Sequence, residues 1–303
     1  MLPATLTTIN LRTATTRWAN VSASHAENIG AAIPITRYDA VNGASLDLPS
    51  RRARLSPAEA GCRLSHLHVL EVIARAPESC HWITEDDVVF GPQSLARLDS
   101  LLQRMSSVPW DILMTDVVAP GPTAALELWG HSLRLPPQTT TAVSLASIAF
   151  GGTTSYIVNA AAATKILRLA SDAETVEKPW DIQLRDWCRE EKLRVFTALP
   201  FLTRAVTAPS QIQQKSLLLD WWSAFRDLLF CDRDLNALSS RMDELDKPDD
   251  ASLLFGRVMA AMTDPSLISR NTFQPRATSR TARVNRADSR SSVANNRSSD
   301  DDT

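Results

Sequence analysis

Between residues 5 and 198 the chain alternates short apolar runs with stretches of helical periodicity, and this alternation restricts it to a layered α/β fold. The runs at 5–11, 33–38, 80–84, 111–115, the two halves of 142–158 broken at Gly151-Gly152, and 193–198 read as strands. Val88-Val89-Phe90 is a further apolar run. Helices are expected from Pro57 to about Ala76, over Gln93–Met105, Asn159–Ala170 and Asp181–Glu191. The Pro57 helix has the clearest start signal. Ser56 is placed to cap it, Pro57 stands at its first position and Glu59 at its third, which makes a capping box. Leu64, Leu67, Leu70, Val72 and Ile73 are its expected apolar stripe. Residues 116–140, rich in Pro, Gly and Thr, read as a long loop.

From Gln211 to Met262 the pattern is helical, with breaks near Asp232 and Pro248, and Trp221-Trp222 reads as core there. The expected organisation is an α/β domain over 1–205, a helical appendix over 206–269 and a disordered tail over 270–303. That tail holds seven arginines against four aspartates, a net charge of +3, and one aromatic, too little apolar surface to offset the entropy of ordering it.

The whole chain carries a net charge of -2, so no basic excess drives nucleic-acid binding. The four cysteines form no C-x-x-C pair, which excludes a zinc ribbon or thioredoxin-type site, and read as free thiols of a reducing compartment, with a disulfide in a secreted chain as the alternative. No run of 18 apolar residues occurs. The expected location is the cytoplasm, with peripheral contact to a membrane left open.

Glu85-Asp86-Asp87 follows an apolar strand directly. Three adjacent like charges repel unless a cation neutralises them. Hard divalent ions such as Mg2+ or Mn2+ do so with oxygen ligands, shared with substrate phosphates. The carboxyl end of a parallel strand is also where α/β sheets place ligands. A solvated acidic turn is the other reading of the triplet alone.

Several stretches, in order, resemble the family 25 glycosyltransferases, which include bacterial lipooligosaccharide galactosyltransferases and collagen galactosyltransferase domains. They are Ile9-Asn10-Leu11 with Arg17, the segment Thr36–Gly43, Glu59-Ala60-Gly61-Cys62-Arg63-Leu64-Ser65-His66, Glu85-Asp86-Asp87, and Gly152-Thr153-Thr154-Ser155-Tyr156-Ile157-Val158. A weaker match is Lys178-Pro179-Trp180-Asp181. Ala58 stands where that family usually has Gly, and residues 119–141, the appendix and the tail match nothing in it.

The resemblance implies a GT-A-type fold with a Rossmann-like mixed sheet flanked by helices. It implies a UDP-hexose donor, Mn2+ (or Mg2+), and inverting transfer to a hydroxyl of a glycan, lipooligosaccharide or protein. Glu85, Asp86 and Asp87 then become metal ligands, with Glu85 and Asp86 alternatively accepting from ribose hydroxyls. Asn10 and Arg12, at the end of the first strand, would meet uracil or ribose, or form an ordinary polar strand end. Arg17 would neutralise a phosphate or be a surface helix charge.

Gly61 and Ser65 share one helical face, and Cys62 and His66 a neighbouring one. Gly61 costs about 1 kcal/mol relative to Ala inside a helix, which calls for a close neighbour, a strand or the donor. Ser65 and His66 are candidate donor or acceptor contacts, and His68 is at the wrong spacing to join them. Gly152 and Thr153 allow close backbone approach to a sugar, or form a bulge. Trp180 offers a face to sugar C–H groups. Asp181 is the first candidate for the base that takes the acceptor proton, or a helix N-cap, and Asp116 is the second candidate. The competing functions are a metal-dependent nuclease or phosphatase, and a degenerate nucleotide-sugar-binding or adaptor protein.

Overall fold

Strand residues of alternating direction and helices of one apolar face fit together only if the sheet is covered on both sides, and the computed structural model has this form. It describes residues 1–47, 55–76, 80–172, 178–206 and 217–245. A seven-stranded mixed sheet carries, in spatial order, β2 (Ile35–Asp39), β1 (Leu6–Asn10), β3 (Cys80–Glu85), β7 (Ser155–Asn159), β5 (Ile112–Met114), β8 (Val195–Leu199) and β6 (Thr141–Ser144). β1, β2, β3, β5 and β8 run in one direction, and β7 and β6 oppose them. A separate antiparallel pair joins β4 (Val88–Phe90) to β9 (Thr203–Ala205).

Period-two alternation divides the strand side chains between two cores. Trp82, Leu113 and Ile157 point to one face, covered by α1 (Thr15–Asn28) and α3 (Ser94–Arg104). Ile83, Ile112, Met114, Tyr156 and Val158 point to the other. That side is covered by α2 (Pro57–Ala74), α4 (Pro122–Ser132), α5 (Ala160–Asp172), α6 (Trp180–Arg189) and α7 (Leu217–Leu229), with α8 (Leu235–Leu245) beyond.

The capping box forms as the sequence dictates. The Ser56 hydroxyl accepts from Glu59 N–H, and the Glu59 carboxylate accepts from Ser56 N–H at 2.7 Å. The buried face of α2 differs from the expected stripe. It carries Arg63, Ser65 and His66 with Val69, Leu70 and Ile73, while Val72 is exposed. Gly61 does have a close neighbour, although it is neither a strand nor a ligand. A Cβ there would stand 2.6 Å from the Val41 carbonyl oxygen, so the loop after β2 rests on the helix.

Other expectations need correction. Residues 122–132 form α4 instead of loop: Pro122 is the first-position proline of a helix, and Ala124, Ala125 and Leu128 bury its inner face. The helix α1 had only the surface-helix reading of Arg17 as a counterpart in the sequence, and the strand β9 had none. The break near Asp232 is present, with Asp232 accepting from the backbone and side chain of Gln93 at 3.0 and 2.7 Å. Trp221 is core. Residues 211–216, the break at Pro248 and the tail from 270 lie outside the described residues.

At the amino end of β5, Asp111 accepts from Lys165 and from the Arg194 guanidinium, both at 2.9 Å, and these cations overcome its burial to hold its pKa down at about 2. A depressed acid stabilises the fold above its unfolded pKa and ceases to do so as pH falls through the folded one. Asp111→Asn is therefore expected to cost about 2 kcal/mol at neutral pH, read by denaturant unfolding, with the deficit closing between pH 4 and 2. A deficit independent of pH would show that charge is not what Asp111 contributes.

Candidate functional site

The chain enters β2 on one side of β1 and returns to β3 on the other, so the strand order reverses between β1 and β3. At such a switch point the helices leave in opposite directions and open a crevice at the carboxyl ends of the strands. Asn10 ends β1, Glu85 ends β3, and Asp116 follows β5 by two residues, all on the same sheet edge. Because β7 runs the opposite way, its approach segment Gly152–Thr154 reaches that edge too. The register puts Ile9 opposite Glu85 and Thr84 opposite Ser155. Buried hydroxyls brace this end of the sheet: Thr8 to Thr84 at 2.9 Å, and Thr115 to Ser155 and Thr203 at 2.6 and 2.8 Å.

Asp86 and Asp87 occupy the turn between β3 and β4. The three carboxylates differ in environment. Both oxygens of Asp86 are engaged, one accepting from Asn10 at 2.6 Å and the other from Arg17 at 3.0 Å. Glu85 accepts from Thr153 Oγ1 at 2.8 Å, and its Oε1 stands 3.5 Å from His66 Nε2. Burial opposes ionisation of Glu85, but His66 and Thr153 outweigh it and hold its pKa below the usual range. Asp87 is the unsatisfied member. Its buried Oδ1 has no hydrogen-bond partner among the described residues. Burial first, then the charges of Glu85, Asp86 and Asp116, push its pKa up to about 7 against the pull of Arg226.

Arg226 comes from α7, inside what the sequence suggested was an appendix, and sequence reasoning did not single it out. It donates to Asp116 at 2.5 Å, and both side chains are buried. The available signal was the arginine of Arg226-Asp227, set between Phe225 and Leu228 on the apolar stretch of a helix. Burial raises the Asp116 pKa even so, with Arg226 opposing. As found, Asp116 is a buried ion-pair partner 1% exposed.

The remaining candidates divide into those gathered at this edge and those apart from it. Asp181 is the second residue of α6 and does not cap it. Its Oδ2 accepts from Gly152 N–H at 2.8 Å, and Gly152 has φ of +80°, a conformation suited to glycine. Asp181 thus joins Gly152, Thr153 and Glu85 into one chain of contacts. His66 is fully buried; its Nδ1 lies 3.0 Å from the Tyr156 hydroxyl and its ring stacks on Trp180. Cys62 Sγ joins a His66 nitrogen and a Glu85 oxygen in a group whose atoms all lie within 4.8 Å of one another. Ser65, by contrast, is fully buried and spent on structure, donating to Gly61 carbonyl and accepting from Val41 N–H. The Arg12 side chain is 87% exposed and faces Asp39 at 3.5 Å. Trp180 is buried among His66, Arg63 and Trp187, so its face is not presented to a sugar. A groove of about 630 Å3 lies elsewhere, between α4 and the β6 region, lined by Glu127, His131, Arg134, Ser144 and Ile148.

The sequence matches no family model and no curated protein. What this site can do chemically therefore rests on its geometry: a carboxylate pair at the sheet edge, Glu85 and Asp87, with acceptor capacity left over, near the half-buried Arg17 and the buried Arg226. Among the described residues no helix is long and apolar enough to cross a membrane.

Proposed function

We propose that this chain is a metal-dependent glycosyltransferase of GT-A type that moves a hexose from a UDP-sugar to a hydroxyl of a glycan, lipooligosaccharide or protein. The reading is supported chiefly by Asp87: an unpartnered carboxylate oxygen among three other acids, at the switch point of a mixed α/β sheet. Excess negative charge in that position fits a hard divalent cation, Mn2+ or Mg2+, and Glu85 and Asp87 are the residues that would hold it. Such an ion supplies Lewis-acid stabilisation to a departing diphosphate.

The chain's own groups have separate duties in this reading. Asp86 fixes Asn10 at the end of β1 and Arg17 on the first turn of α1, where a uridine would lie against the strand edge. Arg226 limits the charge of the acidic cluster without removing it. Asp181, held by the Gly152 N–H, takes the proton of the acceptor hydroxyl. Four free thiols accord with a cytoplasmic setting, where nucleotide-sugars are also found.

The test is release of UDP from a panel of UDP-sugars, with and without candidate acceptors. Wild type is expected to release UDP in the presence of Mn2+. Asp181→Asn is expected to retain UDP binding and lose about 100-fold or more of the transfer rate, the size of a general-base contribution. Transfer retained by Asp181→Asn would move the base elsewhere. Binding without any turnover would favour the adaptor reading.

A further inference from the structure

We infer that Cys62, His66 and Glu85 form a second cation site, one that takes a borderline transition metal such as Zn2+ in preference to a hard ion. This goes beyond the glycosyltransferase reading; the site shares Glu85 with the hard-ion site proposed above, but its signature, ligation by Cys62, can fail or hold separately from that reading. Cys62 and His66 stand one helical turn apart on α2, so their side chains leave the same face. Glu85 arrives from the carboxyl end of β3. The three candidate ligand atoms lie within 4.8 Å of one another, and His66 Nε2 is 3.5 Å from Glu85 Oε1. Tetrahedral zinc, with bonds of about 2.0 to 2.3 Å, needs ligand separations of roughly 3.3 to 3.7 Å, so a closure of about an ångström suffices.

The second observation is His66 itself. It is fully buried, yet its Nε2 has no hydrogen-bond partner among the described residues. Its other nitrogen, Nδ1, is held by the Tyr156 hydroxyl at 3.0 Å, and its ring is stacked on Trp180. With its proton on Nδ1, toward the Tyr156 hydroxyl, His66 would turn an Nε2 lone pair in a fixed direction, the arrangement metal-bound histidines use; on binding, the ion would replace the interaction His66 now makes with Glu85. The donor set of sulfur, nitrogen and one oxygen suits Zn2+, whereas Mg2+ and Ca2+ prefer oxygen alone. The Glu85 side chain is 29% exposed, which gives the ion a way in and leaves its fourth position open to water. Binding converts the Cys62 thiol to thiolate, and the proton goes to solvent.

The experiment titrates Co2+, as a coloured stand-in for Zn2+, into reduced, metal-free, full-length protein. One equivalent is expected to give a thiolate-to-cobalt charge-transfer band with the strong visible absorption of four-coordinate cobalt, both bleached by equimolar Zn2+. Cys62→Ser is expected to lose the thiolate band and to bind about 100-fold more weakly, a ligand being worth at least what its outer partners are. Cys80→Ser and Cys231→Ser are expected to keep it. A measurement on wild type alone runs in parallel: Zn2+ should protect Cys62 from alkylation, read by peptide mass spectrometry. Absence of the thiolate band in wild type, its persistence in Cys62→Ser, or unchanged alkylation of Cys62 with Zn2+ present would overturn the site.

Discussion

Arg226→Met is expected to lower unfolding stability by about 3–5 kcal/mol, the usual cost of stripping one partner from a buried ion pair. The size follows from what the arginine leaves behind. Asp116 is 1% exposed and loses the guanidinium that donates to it, while Asp87 loses the attraction that opposes its own protonation. Both carboxylates then prefer the neutral form more strongly, so the deficit should grow as pH rises from about 5 to 8. The double variant Asp116→Asn/Arg226→Met removes the stranded charge and is expected to recover more than half of the loss, which denaturant titration reads directly. A loss under about 1 kcal/mol, or no recovery in the double variant, would show that the pair is not a significant part of the fold's electrostatics.

Asp87→Asn is expected to do the opposite to stability and to damage function. The folded pKa of Asp87, about 7, lies above its unfolded value of 3.8. Between those values the native state holds a proton that the unfolded chain has released, so stability contributed by Asp87 falls as pH rises, and is fully lost once pH passes the folded value. Asparagine cannot ionise. The metal-free variant should therefore be more stable than wild type at pH 8, with the difference vanishing toward pH 4. In wild type, Mn2+ is expected to raise the melting temperature at pH 8, where the carboxylate is charged and free to accept the ion. In Asp87→Asn that increase should disappear. A variant less stable than wild type at pH 8, or one stabilised by Mn2+ to the same extent, would remove Asp87 from the metal role.

Much of this arrangement could be read from residue order because local signals and tertiary placement agree. The box of Ser56 and Glu59, the proline at 57 and the apolar runs at 80–85 and 155–159 each state their conformation within a few residues. Glu85 to Asp87 lies at a strand end simply because an apolar strand precedes it. The parts that were not legible lack such signals. Helix α1 has Ala14 at its N-cap with no side-chain bond, and buries only Val21 and His25, so its periodicity is faint. In α4 the proline that begins the helix looks like loop composition. The three residues of β9 gain their conformation only by pairing with β4.

The same distinction applies within the site. That Asp87 would be the acid without a partner, and Asp86 the satisfied one, depends on Asn10 of β1 and Arg17 of α1 reaching across to it. Arg226 approaches Asp116 from 110 residues away in sequence. Trp180 was expected to present an aromatic face to a sugar, but the same residue packs inward because His66 and Trp187 offer it a dry surface. Spacing along the chain does not report which face of a short helix wins that competition.

Calorimetric titration of UDP into the full-length protein, in the presence and absence of Mn2+, tests the central claim most directly. The account predicts one saturable site in wild type that requires the cation, and no measurable binding in Asp87→Asn. Failure of wild type to bind UDP with either Mn2+ or Mg2+, or equal binding by Asp87→Asn, would contradict it.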